Sequence, residues 1–208
     1  MNPEYKRILV TGCSGFLGRQ VTQELLSRGY FVRGPTRGHD ELLHKFMIDF
    51  VNHSSLEIRC LDLISDEGWE SAMQDIDAVV HTASPFSAYE PKDEQELIKR
   101  AREGTIRVLT HGYEAGIRKF VITSSTAAIS GATPTSRNKT YSHNDWTDLD
   151  SKISAYTKSK TLAELAAWDF VESHSGVILT TINPNVTLGP LHSGTPGTSL
   201  RIIESIID

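Results

Sequence analysis

Apolar positions along this chain fall into short unbroken runs, separated by longer stretches in which they recur every three or four residues. Ile8, Leu9 and Val10 lie between Lys6-Arg7 and a glycine turn, the pattern of a strand buried on both faces. Residues 30–33, 56–60, 78–81, 120–123 and 177–182 repeat that pattern and predict further strands. Between them the spacing turns helical. Val21, Leu25 and Leu26 share one face of a helix stopped by Gly29. A polar helix is expected over 40–51 and another near 66–75. A long one over 93–115 carries Leu97, Ala101, Ile106, Val108 and Leu109 and ends at Gly116. The last carries Leu162, Leu165, Ala166 and Trp168 toward His174. Strands alternating with helices, with no internal repeat, predict an α/β fold, a doubly wound parallel sheet of the Rossmann type. Residues 129–150, rich in Thr, Ser, Asn, Gly and Asp, read as a long loop beside a site.

The turn after the first strand reads Thr11-Gly12-Cys13-Ser14-Gly15-Phe16-Leu17-Gly18. In a strand–turn–helix setting the first glycine permits a tight turn. The second lets a pyrophosphate approach the backbone, and the third lets helix and strand pack closely. Free amides at the helix start then bind phosphate. Gly12, Ser14, Gly15, Phe16, Leu17 and Gly18 are therefore candidate cofactor contacts, and Cys13 reads as a small loop residue. After the second strand an acid would hold an NAD ribose, but none occurs before Asp40. Arg37 stands there instead and can grip a 2′-phosphate with several donors, so NADP is the expected cofactor and NAD the alternative. Asp62 and Leu63 follow the third strand where an adenine would lie. Thr82, Ala83 and Ser84 follow the fourth, small enough for a backbone close against a cofactor. His81 reads as structural, and the charged run 99–103 as a solvated face. Ser124, Ser125 and Thr126 follow the fifth strand, at the carboxyl ends that line a ligand crevice.

Tyr156 and Lys160 stand four residues apart on the last helix and so share one face, a turn apart. A phenol alone loses its proton near about pH 10. An ammonium one turn away favours the phenolate and brings that proton closer to neutral-pH chemistry.

Composition narrows the class without adding chemistry. The 208 residues suffice for one domain and the start of another. A 38% hydrophobic and 23% charged content is ordinary for a globular protein. The net charge of -5 gives no reason to expect a nucleic-acid partner. Two cysteines, Cys13 and Cys60, make no disulfide framework and suggest a reducing compartment. No signal peptide, membrane-length apolar run or metal site is read, so a cytoplasmic location is expected.

With these segments placed, the chain resembles the extended short-chain dehydrogenase/reductase family. The nearest branch holds dihydroflavonol reductases, cinnamoyl-CoA reductases and fungal ketone and methylglyoxal reductases. The carrying motifs are 11–18, Val80-His81-Thr82-Ala83-Ser84-Pro85-Phe86, Thr123-Ser124-Ser125, Tyr156 through Lys160 with Thr161-Leu162-Ala163-Glu164, and Asn183-Pro184 through Gly189-Pro190. The resemblance implies reduction of an aldehyde or ketone by a Ser-Tyr-Lys triad. Tyr156 would protonate the carbonyl oxygen, Lys160 would hold the nicotinamide ribose, and Ser125, with Ser124 as the alternative, would hydrogen-bond the substrate oxygen. Arg37 matches the branch's 2′-phosphate arginine, Pro184 and Val186 would border the nicotinamide, and Phe86, Thr126 and Asn185 are candidate substrate walls. Arg100 departs from the branch, which usually has proline before Ala101. Residues 1–190 are expected to form the dinucleotide domain and 191–208 the beginning of an incomplete substrate lobe. That lobe's apolar Ile202, Ile203, Ile206 and Ile207 would lack a partner, so the chain alone is expected to associate and to turn over slowly. A non-catalytic dinucleotide binder is the competing expectation. Sugar-nucleotide epimerases share the triad, but Thr82 to Phe86 and Ser159 to Glu164 argue against that branch.

Overall fold

The structure, a computed structural model, describes residues 6–37, 46, 50, 53–84, 93–132 and 139–189. The predicted helix over 40–51 and the segment 191–208 lie outside them, apart from Phe46 and Phe50. Strands β1 (Arg7–Thr11), β2 (Phe31–Thr36), β3 (Leu56–Cys60), β4 (Ala78–His81), β5 (Lys119–Thr123) and β6 (Ile178–Ile182) form one parallel sheet. Its order is β3-β2-β1-β4-β5-β6. The chain reaches one edge at β3 and then crosses to the far side of β1. The order therefore reverses between β1 and β4, and a crevice opens beyond their carboxyl ends.

β1 is buried from Ile8 to Thr11 because both of its faces are covered. Leu9 joins Val79, Phe120 and Ile122 on one face, under Trp69, Met73, Val108, Leu109 and Phe170. Ile8 and Val10 face the other way, with Val32, Leu26 and Phe46. Cys13 belongs to this second cluster rather than to an open loop: its sulfur packs where a Cβ on Gly34 would sit, at 2.5 Å. Burial pushes its thiol up to about 12, so it stays protonated and unreactive.

β2 runs three residues beyond the 30–33 pattern, through Gly34, Pro35 and Thr36. Its pairing with β1 ends at Arg33 while that with β3 continues to Thr36. Pro35, which has no N–H, thus sits where one side of the strand makes no ladder. The predicted 66–75 helix is only α2 (Trp69–Met73). It is bounded by left-handed Gly68 at φ 81° and Asp75 at φ 59°.

Helix α1 (Phe16–Ser27) follows the glycine turn. Helix α3 (Glu94–Glu114) starts at Asp93, whose carboxylate accepts from the N–H of Gln95 at 2.9 Å and Glu96 at 3.4 Å, and ends before Gly116 at φ 88°. A one-turn helix, α4 (Ala127–Ser130), occupies the start of what reads in sequence as loop. Helix α5 (Ala155–Ser173) begins at Ser154, whose hydroxyl accepts from Thr157 N–H at 3.1 Å. At the far edge β6 leaves Ile178 57% and Ile182 51% exposed. No helix among the described residues is long and apolar enough to cross a membrane.

Candidate active site

A cavity of about 390 Å³ fills the crevice. Gly12, Ser14 and Gly15 line one side, Thr36 and Arg37 the end of β2, Asp62 and Leu63 the exit of β3, and Thr82, Ala83 and Ser84 the exit of β4. Gly12 sits at φ +69°, and a Cβ there would lie 2.9 Å from the Ala83 backbone. A Cβ on Gly18 would land on Gly12 O and, at 2.7 Å, on Thr82 Oγ1. Thus the turn is pressed against β4's exit by contacts only glycine permits. The stitching is completed by Thr82 Oγ1 donating to Thr11 O at 2.6 Å and Ala83 N to Thr11 Oγ1 at 3.1 Å. The first amides of α1 have no partner within the helix, and no acid stands in its first turn. That end favours an anion.

The two arginines near β2's end have different roles. Arg33 is buried and committed, donating to Glu57 at 2.8 Å, Ala72 O at 2.8 Å and Gln74 O at 2.7 Å. Arg37 is exposed and lines the cavity. Thr36 Oγ1 beside it is buried with no hydrogen-bond partner, although it lines the same space. Asp62 turns one carboxylate oxygen to Ile64 N–H at 3.2 Å, and its carbonyl accepts from Trp69 Nε1 at 2.9 Å, so the adenine candidate is held by its own turn.

Leu63, Ala83 and Ser84 also line a second, small cavity of about 20 Å³ with His81, Thr105, Ser124, Lys160 and Glu164. Lys160 of the helix pair therefore adjoins the glycine-rich crevice. Lys160 is only 9% exposed. Burial pushes its ammonium down to about 8, against the opposing pull of Glu164. Its Nζ lies 6.0 Å from the centroid of the half-buried Tyr156 ring. His81 is buried and pairs through Nδ1 with Thr11 Oγ1 at 2.7 Å. Burial, and then the Lys160 charge, push it down to about 3, so it stays a neutral structural ring.

Ser124 and Ser125 are both buried but placed differently. Ser124 Oγ faces the Lys160 cavity with no partner. Ser125 Oγ accepts from Ala127 N–H at 3.1 Å, which leaves its own proton to donate. Ser124 N–H donates to Ile182 O at 2.8 Å and Thr126 N–H to Pro184 O at 3.0 Å, zipping β5's exit to β6's. Beyond it, Asn185 Oδ1 accepts from the exposed Val186 N–H at 2.8 Å, and Gly189 approaches the Phe16 ring. Phe86 lies outside the described residues.

Residues 8–208 match the model of the NAD dependent epimerase/dehydratase family. The chain belongs to it. The extended dehydrogenase/reductase resemblance read from the motifs stands within this epimerase/dehydratase family. The chain is 35% identical over 200 residues to dihydroflavonol 4-reductase of Arabidopsis thaliana, covering 91% of itself and 51% of that protein. It is 33% identical over 210 residues to cinnamoyl-CoA reductase CAD2 of Medicago truncatula, covering 97% of itself and 64% of that protein. Among solved structures, Gre2 of Candida albicans in complex with NADPH superposes with TM-score 0.82 at 32% identity, over 97% of this chain and 65% of that one. The chain thus spans between half and two thirds of the length of these relatives.

Two features of this epimerase/dehydratase chain escaped the sequence reading. Arg100, taken as part of a solvated face, lines the large cavity while its Nε donates to Glu96 at 2.6 Å. Its place beside Ala101, where the branch usually has proline, was the available signal. Asn183 and Glu164 were quoted in motifs but given no role. The amide Nδ2 of Asn183 donates to Glu164 Oε2 at 2.7 Å and to Ser125 O at 3.1 Å. Nothing in the spacing of these residues, 19 apart along the chain, shows that pairing.

Proposed function

We propose that this chain carries the dinucleotide-binding and proton-transfer machinery of an NADP-dependent oxidoreductase that reduces an aldehyde or ketone to an alcohol. One observation supports it most: the glycine-pressed crevice with Arg37 at its rim runs on, past Ala83 and Ser84, to a buried lysine one turn from Tyr156. The crevice fits a phosphorylated dinucleotide, since Gly12 and Gly18 leave no room for a Cβ and Thr36 Oγ1 is an unpaired polar group on its wall. The names of the relatives, a dihydroflavonol reductase and a cinnamoyl-CoA reductase, and the NADPH of the Gre2 structure agree with it.

In this reading Gly12, Ser14, Gly15, Phe16, Leu17 and Gly18 hold the phosphates, and Arg37 the 2′-phosphate. Asp62 and Leu63 flank the adenine, with Thr82, Ala83 and Ser84 across the crevice. Ser124, Lys160, Pro184 and Val186 border the nicotinamide ribonucleoside, and Thr126 and Asn185 flank the carbonyl compound. When bound, NADPH supplies the hydride equivalent that reduces the carbonyl carbon. Tyr156 gives its phenolic proton to the oxygen, Ser125 donates a hydrogen bond to the same atom, and Lys160 holds the ribose and favours the resulting phenolate. Residues 1–190 make up the dinucleotide-binding unit.

The test is Tyr156→Phe, assayed by NADPH oxidation with a panel of aldehydes and ketones and by NADPH titration. Turnover should fall by roughly 10²- to 10⁴-fold with cofactor affinity nearly unchanged, because the proton is needed only when the carbonyl is reduced. Near-wild-type turnover sinks the assignment of Tyr156. A wild-type chain that binds NADPH yet reduces none of the panel is the non-catalytic binder instead.

A further inference from the structure

We propose that Glu164 is a positioning residue of this site: its buried carboxylate keeps Lys160 charged and, through Asn183, ties the turns after β5 and β6 to helix α5. The inference rests on Lys160 as the ribose-binding residue of the proposed reductase. It assigns a role to a side chain that neither binds nor reacts.

Three observations carry it. Glu164 is 6% exposed, and such burial of a carboxylate is costly unless it is paired and hydrogen-bonded. Its Oε2 accepts from Asn183 Nδ2 at 2.7 Å, and Oε1 faces Trp168 Nε1 at 3.5 Å. Asn183 Nδ2 also donates to Ser125 O at 3.1 Å, so one carboxylate spans from α5 to the residue proposed to hold the substrate oxygen. Finally, Glu164 lies one turn beyond Lys160 on α5, and both line the small cavity.

Among the described residues, the other walls of that cavity offer Lys160 no alternative counter-charge. Strand β4 contributes His81, which is neutral. Helix α3 contributes Ala101 and Thr105, and β5 with its exit contributes Ile122, Thr123 and Ser124. From its own helix Lys160 meets Tyr156 as well as Glu164. Burial alone moves a lysine toward its uncharged form. The Glu164 carboxylate is the group on these walls that opposes it at neutral pH.

A lysine without its proton still offers a lone pair and two donors, but it no longer favours a phenolate on Tyr156. Losing the carboxylate would therefore uncouple the two functions of Lys160, leaving a fold with a weakened acid. A purely structural Glu164 makes a different prediction. In Glu164→Gln the amide oxygen still accepts from Asn183, so a structural role survives while the charge is gone.

The experiment labels the lysine side chains isotopically and follows the Lys160 Nζ signal by NMR titration, assigned with Lys160→Arg. In Glu164→Gln the Lys160 midpoint should fall by about one pH unit or more relative to wild type, with thermal unfolding little changed. NADPH affinity in that variant should weaken more at pH 8 than at pH 6. A Lys160 midpoint that stays at the wild-type value in folded Glu164→Gln overturns the proposal. Should that variant not fold, Glu164→Asp draws the carboxylate back from Lys160 while keeping its charge. There too the midpoint should fall, and one held at the wild-type value overturns the proposal. Absence of NADPH binding in the wild-type chain sinks the reductase reading instead, and the titration still decides the role of Glu164.

Discussion

At the exit of β1 the crevice wall is made of backbone: Gly12 and Gly18 press one turn against another, and Gly12, Ser14 and Gly15 of the turn into α1 line the space. At the exit of β5 it is made of buried side chains, with Lys160, Glu164 and Ser124 around a cavity of about 20 Å³ and Asn183 bonded to Glu164 behind them. The two ends therefore depend on sequence differently. The backbone wall needs side chains to be absent at Gly12 and Gly18, where a Cβ collides. Side-chain walls need several specific groups at once, as where Asn183 Nδ2 donates to the Glu164 carboxylate. A change at the first end should act like a wedge, and a change at the second like a loss of charge or proton.

The sharpest break of that contrast is Gly18→Ala. Its Cβ would meet Gly12 O and Thr82 Oγ1, the first being backbone that cannot turn aside. We expect a loss of about 3 kcal/mol or more in chemical denaturation, the severe end of overpacking, and no measurable NADPH binding. Wild-type stability would show that the turn is slack, and the wedge argument would fall.

Arg37→Ala tests the same end with a charge instead of a wedge. Charge-assisted bonds to a phosphate contribute about 1.5–3 kcal/mol, so NADPH should bind about one to two decades more weakly. NADH should be little affected and the fold unchanged, because Arg33 carries the structural bonds there. Calorimetric titration with both cofactors decides it. Equal weakening of the two removes Arg37 as the 2′-phosphate ligand.

That division also explains what the sequence made legible. The strands, the parallel α/β class and the glycine turn could be read because each leaves a pattern along the chain: runs such as Ile8 to Val10, strands alternating with helices, or glycines after a strand. Tyr156 and Lys160 could be read because helix spacing alone puts them together. Glu164 with Asn183, and Arg100 at the cavity, could not, because their meaning depends on how α5, β6 and α3 pack. The helix near 66–75 was read too long for another reason, since left-handed Gly68 and Asp75 cut a helical pattern that apolar spacing alone would extend. Cys13 looked like a loop residue because what buries it, the approach of Gly34 on β2, comes from elsewhere in the chain.

A third prediction probes the seam between the two ends, at His81. Its folded pKa is about 3 against an ordinary 6.5, so the unfolded chain binds the extra proton between those values. The stability that the neutral ring allows is complete above about pH 6.5 and is lost as pH falls toward 3. The slope is about 1.4 kcal/mol per pH unit for one proton. Denaturation curves for wild type and His81→Asn should differ by that slope between pH 6 and pH 4, the wild type being the more acid-sensitive. Parallel curves would mean that His81 is protonated in the fold.

The smallest effect is expected two residues from the largest electrostatic one. Lys158 and Lys160 lie on the same helix, but Lys158 Nζ meets Glu94 Oε1 at 2.7 Å with the pair 31% and 38% exposed. Water screens such a pair, and holding two long side chains together opposes the gain, so the interaction is worth less than about 1 kcal/mol. Lys158→Ala should change stability by no more than that and leave NADPH affinity alone. Lys160→Ala should weaken NADPH binding clearly, since its ammonium has no solvent to replace it. Stability measured in low and high salt sharpens the point, because only the Lys158 pair should respond. If the two alanine variants weaken cofactor binding equally, the buried end of the crevice has no privileged lysine, and the contrast between its two ends fails at the residue where it is most specific.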